Sequence, residues 1–589
     1  MMRAGTRSRP VLPSWGIPAL VVLAVGWVAA RAGVGPTLPC GSDAVIHLLR
    51  VVQLDHLWAQ GVLYTRLAPD MGWGYGFPVF NFYPPLSYYI VLLISRVIGD
   101  ISLGFRITLA LTFLLAGLGV YVLARDFFRE EAAVVAGVAA MYAPYVAYNP
   151  LYRGALPEAM GWALLPWAWW AVGRAVRTGR RGWIAAGALI FGALLLTHNL
   201  AAVVSAPLLA LYALMEVLSS SFLPLRRRAL SAGITLGLGM GLALFFWIPA
   251  WAERSLIQWE NAIYGFPGGY RAHFLSWREL LAALEPVRLD LVNPTLPRSL
   301  GLMSLLLGVP GLLGLLFFRG ARRRAVRFFA AVGMVAALMT TPLSRPIWQA
   351  ISYLHIFQFP WRFLGPAALS LAFLVGATAE LLTGLRWRYP MIGLMVLALV
   401  TADLGWLWNA QYCPGWDRVS IGSLYTWEQT DPGVSHSEFR PRIVRQWPSR
   451  PATGWFDLSV LPKGVGLREG RTGPLSAEGW VESPQPFRLT VNRFFYPGWR
   501  AWVDGKPVEI VPEADWGRFT FPVPAGRHHI AVRFGETPLR LAADLLSVLS
   551  LLGLAIWLMG DRLSELRRYG GGGQPANWPD AGAIVASSR

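Results

Sequence analysis

The chain has 589 residues, of which 55% are hydrophobic and only 14% charged, well below the roughly 25% charged residues of a soluble protein. The formal net charge is +19, but the arginines fall in short clusters between apolar runs, a pattern that follows membrane topology and argues against nucleic-acid binding. The two cysteines, Cys40 and Cys413, form no CxxC pair, which argues against a cysteine-based zinc site.

Apolar runs of about 18 residues or more can cross a bilayer as helix. Taken in chain order, they predict spans near 17–33, 101–124, 131–148, 158–173, 183–197, 200–218, 229–250, 299–318, 327–341, 361–383, 390–409 and 539–559. The first also has signal-peptide features, with Ala30, Arg31 and Ala32 as a small-x-small triplet; retention as a helix is the preferred reading. The short segment at 84–99 starts with two prolines and holds two tyrosines. If it spanned, the clusters at 174–181, 226–228 and 319–327 would fall outside the cytoplasm. If it lies in the interface, all of them are cytoplasmic, and so are both termini. The sequence therefore predicts a mainly α, polytopic membrane helix bundle of about 12 spans.

The long outer segments are then 34–100, 251–298, 342–360 and 410–538. The last reads as a β-rich domain. "RLTVNRF" and "HHIAVRF" partly alternate, and "DGK" (504–506) and "PAG" (524–526) mark turns, so a β-sandwich is expected. The organisation is a membrane domain at 1–409, an extracytoplasmic β-domain at 410–538, a last span at 539–559 and a Gly-rich cytoplasmic tail at 560–589, expected to be disordered.

The first outer segment contains "PCGSDAVIHLLRVVQLDHLWAQG". Asp43 can cap a helix beginning at Ala44. Asp43, His47 and Arg50 then lie at i, i+4 and i+7, on one face. Gln53 and Gln60 roughly continue the stripe, and the rest of the helix is apolar. The expected element is an amphipathic helix on the outer membrane surface, its polar stripe facing water or a cleft.

This helix, the stretch "APDMGWGYGFPVFNFYPP" and the spans after it resemble the GT-C superfamily of membrane glycosyltransferases. More narrowly, 47–90 resembles bacterial membrane proteins labelled "6-pyruvoyl-tetrahydropterin synthase-related", as do "YAPYVAYNPLYRGALPEAMGWALLP" (142–166) and "LLLTHNL" (194–200). No pterin chemistry is visible in these residues. "FFYPGWRAWVDGKPVEI" resembles the YfhO-like family of the same superfamily. The resemblance implies a bacterial inner-membrane enzyme whose partners are the bilayer, a polyprenyl-phosphate sugar donor and an envelope glycan or lipid acceptor on the outer face.

By position in these motifs, Asp43 is the expected catalytic base and Glu158 a second functional acid. No second acid adjoins Asp43, which weakens the case for metal dependence; no cofactor is certain, and a divalent metal is left open. The expected substrate-binding residues are His47, Arg50, Arg153, His198, Asn199, His355 and Arg362. Each has a plainer reading. Asp43 can be a cap only, Arg50 a snorkelling arginine, Glu158 a helix-end charge, His198 and Asn199 buried packing, and Arg362 a structural arginine. Cys40 and Cys413 both fall outside, where a disulfide can form. Two other functions compete: a transporter or flippase of lipid-linked glycans, and a non-catalytic glycan-binding scaffold. Transport places ionisable groups deep in the spans, where Asp403 is the main exception to an apolar interior.

Overall fold

In the computed structural model, residues 16–219, 222–264, 269–281, 298–430 and 437–570 are described. Among the described residues, seven helices are long and apolar enough to cross a membrane: Gly16–Val34, Ile101–Ala124, Asn199–Ser219, Leu225–Ala252, Pro360–Leu382, Arg388–Gly405 and Pro538–Met559. Two bent pairs, Glu130–Met141 with Pro144–Arg153 and Gly320–Met339 with Pro342–Ala350, raise the number to nine at most. The chain is thus a multi-pass membrane protein. The sequence pattern predicts more crossings because other predicted spans, such as Arg181–Leu195 and Leu302–Phe317, form short helices. The tryptophan-rich Leu156–Thr178 is nonetheless 23 residues long.

The segment at 84–99 forms the helix Leu86–Ile98. At 13 residues it is too short to cross a core that needs about 20. Leu93, Val97 and Ile98 remain exposed along it.

Charges collect at the two ends of the bundle. Arg174 and Arg177 both donate to Asp126, Arg177 lies 3.6 Å from Glu216, and Arg322 lies 3.1 Å from Glu380. These pairs join the turns between successive helices at one end. Asp43, Arg153, Glu158 and Arg362 gather at the other end.

The β-domain is a sandwich of two antiparallel sheets. Its strands are β1 (Gly466–Gly473), β2 (Ser476–Ser483), β3 (Phe487–Val491), β4 (Trp499–Val503), β5 (Lys506–Val508), β6 (Val511–Pro512), β7 (Phe519–Val523) and β8 (Gly526–Phe534). The five-stranded sheet has the order β1-β2-β8-β4-β5, and the three-stranded sheet β3-β7-β6. Asp504 and Gly505 both take positive φ, 50° and 76°, closing the β4–β5 hairpin, the geometry of a twist-matched two-residue turn. Inward residues such as Ala477, Val481, Ile530 and Val532 meet Leu489, Val491, Phe519 and Phe521.

That core does not stop at the domain boundary. The same apolar cluster includes Leu48, Leu54, Phe80, Phe82 and Tyr88 from the first outer segment. Two charge networks, each built on a buried arginine, tie the domain down. Arg540, at the start of the last helix, gives two hydrogen bonds to Glu253, Nε at 2.9 Å and NH2 at 2.9 Å. Asn81 and the Tyr496 hydroxyl donate to the same carboxylate at 2.8 and 2.9 Å. Nearby, Gly498 (φ 122°) lies so close to Gly535 that a Cβ would overlap its carbonyl. Arg66, fully buried, bridges Glu536 and Asp544, each at 2.8 Å. The last helix runs from Pro538 to Gly570, past the start of the expected tail. The rest of that tail, 571–589, lies outside the described residues.

Removing one member of a buried ion pair strands the other. Arg540→Met should therefore destabilise the protein by about 3–5 kcal/mol, and Tyr496→Phe by about 1 kcal/mol. Thermal unfolding in detergent checks this; equal, small shifts for both variants would contradict the network's importance.

Candidate functional site

The segment leading to Asp43 is pinned on both sides. Pro39 bridges Tyr412, the Cys40 amide donates to the Gln411 carbonyl at 2.9 Å, and the Cys413 amide to Leu38 at 2.9 Å. Cys40 and Cys413 form a disulfide, with Cα atoms 5.0 Å apart. Gly41 packs so tightly on the Arg153 carbonyl that a Cβ there would overlap it. The Asp43 amide then donates to that carbonyl at 2.8 Å. Residue 43 is thus fixed by backbone contacts to a segment distant in sequence.

The helix begins at Ala44, as expected, but the Asp43 side chain makes no capping bond. It turns to Arg153 instead. Arg153 NH2 donates to Asp43 Oδ2 at 2.7 Å, and the Ser42 hydroxyl donates to Oδ1 at 2.7 Å. The carboxylate keeps partial exposure, 22%, and a carboxylate has about four acceptor positions, so it retains capacity for another hydroxyl.

Arg153 ends a π-turn, Asn149–Arg153, a local form frequent at functional sites. Its NH1 donates to Glu158 Oε2 at 2.7 Å and to Asn149 Oδ1 at 3.0 Å, and its guanidinium sits 5.2 Å from the Trp361 ring centre. One buried cation therefore serves both acids. Glu158 is enclosed. It also accepts from Tyr145 at 2.8 Å and Trp162 at 3.3 Å, and Arg362 Nε lies 3.4 Å away. The expectation of Glu158 as a second catalytic acid does not fit this enclosure: the side chain is 1% exposed and already accepts three hydrogen bonds beside the Arg362 charge. It holds Arg153 in place.

The polar stripe of the Ala44–Ala59 helix does not face water. His47, Arg50 and Gln53 are all buried, because the segments at 68–88 and 437–439 close over that side. Gln53 donates to Asp70 at 2.7 Å, and His56 lies 2.8 Å from the same oxygen. Arg50 NH1 donates to the Tyr88 hydroxyl at 2.8 Å, which leaves that O–H to donate to His47 Nδ1, 2.9 Å away. Burial pushes the Tyr88 phenol up to about 12. The Arg50 guanidinium lies 4.4 Å from the Tyr83 ring centre and 5.8 Å from that of Phe439.

Arg50 is 0% exposed, which rules out snorkelling. Its Nε and NH2 have no hydrogen-bond partner among the described residues. The Glu438 carboxylate acts on it electrostatically. A buried guanidinium with unused donors is costly unless an anion completes it.

Tyr83 links the two halves of the site, for its phenol feels both Arg50 and Asp43. His198 stacks edge-on against Tyr83 with ring centres 5.9 Å apart. Burial pushes the His198 imidazole down to about 3, so the ring is neutral. Its Nδ1 accepts the Ala201 amide at 3.2 Å, which puts the ring proton on Nε2. Asn199 donates to the Phe82 carbonyl at 2.7 Å and so holds the aromatic-proline segment. Arg362 donates to the Phe357 carbonyl at 3.1 Å and completes the charge balance around Glu158. His355 does not join this group: its ring stacks on Tyr270 at 4.4 Å and its Nε2 bonds the Trp348 carbonyl at 2.9 Å.

The residues around Asp43 do not fit a metal held by protein carboxylates, because its charged neighbour is a guanidinium. Among the described residues, no three metal-ligating side chains converge. A groove of about 500 Å³ between Gly99–Ser102 and Asp417–Ser420 shares none of the site's residues. The motif reading missed Tyr83, Tyr88, Tyr145 and Trp361. All four sit inside the family-like stretches or next to Arg362, but nothing marked these aromatics out from the tryptophans and tyrosines of an ordinary membrane boundary.

Residues 80–410, more than half of the chain, match the model of a family described as "6-pyruvoyl-tetrahydropterin synthase related domain; membrane protein". No curated protein matches the sequence. Among solved structures, the mycobacterial arabinofuranosyltransferase AftD is similar at 15% identity and a TM-score of 0.45, over 72% of this chain and 29% of that one. ArnT from Cupriavidus metallidurans, solved with undecaprenyl phosphate, is similar at 15% identity and a TM-score of 0.39, over 65% of this chain and 64% of that one. The Archaeoglobus fulgidus oligosaccharyltransferase is similar at 14% identity and a TM-score of 0.41, over 74% of this chain and 62% of that one. The chain thus spans less than two thirds of each. Overlaps this loose assign it neither an activity nor a residue role.

Non-reducing digestion of the purified protein should yield a peptide joining Cys40 to Cys413 that separates on reduction. Gly41→Ala should lower stability by about 1–3 kcal/mol, as overpacking does, read by thermal unfolding. A parental midpoint would mean that the Asp43 segment is not held against Arg153.

Proposed function

The chain belongs to the 6-pyruvoyl-tetrahydropterin synthase related family of membrane proteins, and from that premise we propose that it is an inverting membrane glycosyltransferase. It moves a sugar from a polyprenyl-phosphate donor to an envelope glycan or lipid acceptor on the non-cytoplasmic face of a bacterial inner membrane. One observation carries the reading. A partly exposed carboxylate, Asp43, is held by a buried arginine, while a second arginine on the same helix face, Arg50, is fully buried with two unused donor nitrogens.

The chemistry needs those two elements. The acceptor hydroxyl attacks the anomeric carbon, and its proton passes to Asp43. The bond from that carbon to the phosphate oxygen breaks, and the polyprenyl phosphate leaves with the electron pair. Attack opposite the leaving group inverts the anomeric centre. Arg50 receives the phosphate through Nε and NH2, once the Tyr83 or Phe439 ring covering it swings aside. The two residues are seven apart, about 10 Å along a helix, room for a sugar between acceptor oxygen and phosphate.

The remaining residues are positioning groups. Arg153 orients Asp43, and Glu158 and Arg362 hold Arg153. His47 fixes the Tyr88 hydroxyl that Arg50 contacts. His198 offers its Nε2 proton beside Tyr83 as a neutral donor to a sugar hydroxyl. Asn199 secures the segment carrying Tyr83. The transport alternative lacks comparable support. Asp403 is buried with an unpartnered oxygen, but it stands apart from the Asp43 group instead of forming a polar path with it.

Asp43→Asn keeps the shape of the side chain and removes the base. It should lower transfer by about 10²–10⁴-fold, measured as envelope glycan composition in cells carrying only the variant, with membrane insertion confirmed. Parental glycosylation by a folded Asp43→Asn protein would end the catalytic assignment.

A further inference from the structure

The outward face of the five-stranded sheet is the most distinctive exposed surface of the β-domain. On β2, residues 477, 479, 481 and 483 are buried while Glu478, Trp480 and Glu482 are exposed. On β8, Ile530, Val532 and Phe534 are buried, which turns Arg527, His529, Ala531 and Arg533 outward. On β4, Arg500 and Trp502 face the same way. The register puts these residues side by side. Trp480 pairs with His529 and Arg468, Trp502 with Ala531, Glu482 with Arg527, and Arg500 with Arg533.

The face is thus an aromatic platform with a charged rim. Trp480 is 48% exposed, an uncommon position for a residue whose burial usually stabilises the fold. Its ring lies 5.0 Å from that of His529, and the Arg527 guanidinium lies 5.4 Å from the Trp480 ring. Trp480 and Trp502 stand two strands and two residues apart, about 12 Å on ordinary sheet spacing, a separation that a short oligosaccharide bridges. Four arginines, Arg468, Arg500, Arg527 and Arg533, face out against two glutamates, Glu478 and Glu482.

We infer that this sheet face binds an acidic glycan. The tryptophan rings receive the C–H faces of successive sugars. The arginine forks pair with carboxylate or phosphate groups along the polymer, the anions they match best. Charge complementarity selects the occupant: the surplus of arginine leaves a neutral polysaccharide with only the stacking part. The inference rests on the proposed function in one respect, in that it names the acceptor as an acidic polymer held near the membrane. Binding itself is measured without any transfer.

The test uses the full-length protein in detergent, presented to immobilised polygalacturonate, with dextran as the neutral control. Saturable binding to polygalacturonate that weakens as salt rises, with far weaker binding to dextran, is the expected result. Trp480→Ala should weaken binding about tenfold or more, the scale of an aromatic anchor. Arg527→Ala should weaken it by several-fold and flatten the salt dependence. Both side chains are exposed at the rim of the fold, so neither change disturbs the core. Asp43→Asn should bind like the parent while failing to transfer, which separates failure of this inference from failure of the proposed function. Parental binding by both Trp480→Ala and Trp502→Ala would overturn the proposal. So would equal binding of dextran, or binding of single-stranded DNA or phosphatidylglycerol vesicles as tight as that of polygalacturonate.

Discussion

The outer end of the bundle depends on one buried cation. Arg153 lies between Asp43 and Glu158, at 2.7 Å from each, and neither acid could hold its place without it. An unpaired charge in a low-dielectric interior is costly enough that the surrounding structure must be built to avoid it. Here that structure comprises the π-turn that presents Arg153, the Tyr145 and Trp162 donors that finish Glu158, and Arg362, which brings the second positive charge. The quartet of Asp43, Glu158, Arg153 and Arg362 is balanced. Arg50, two turns along the same helix face as Asp43, has two donor nitrogens unused among the described residues. Those donors are the feature that a lipid phosphate would engage.

The same physics recurs where the β-domain meets the membrane domain. Glu253 with Arg540 is a buried pair, and the buried Arg66 meets the half-buried Glu536 and Asp544, each joining segments far apart in the chain. Such pairs add little net stability over apolar packing but tolerate no loss of a partner. They fix the domain over the segment that carries Asn81, Tyr83 and Tyr88. The domain therefore packs against the segment that carries the site, with the outward face of its five-stranded sheet exposed.

Much of this was legible in sequence, and the failures have physical causes. Local periodicity placed the helix at Ala44 and put Asp43, His47 and Arg50 on one face, because both depend only on neighbours within two turns. Turn chemistry at Asp504-Gly505 located a hairpin. What lay beyond reach was partnership. Asp43 and Arg153 are 110 positions apart, and Glu253 and Arg540 are 287 apart; no spacing rule connects them. Amphipathicity shows that the polar residues share a face, not that the segments at 68–88 and 437–439 cover it. His355 and Arg362 are close in sequence, but Gln358 between them takes a positive φ of 61°, the chain turns, and the histidine is spent on an aromatic stack. Apolar runs also do not reveal where a helix will break, as it does between Met141 and Pro144 and between Met339 and Pro342.

The central claim is that Arg50 is the phosphate site and that Asp43 acts on a substrate already held there. Titrating the full-length protein with a polyprenyl monophosphate, for the parent and for Arg50→Met, tests it most directly. The account predicts saturable binding by the parent and a loss of about tenfold or more in Arg50→Met, the scale of one charge-assisted hydrogen-bond set. Equal affinity in the two proteins would contradict it.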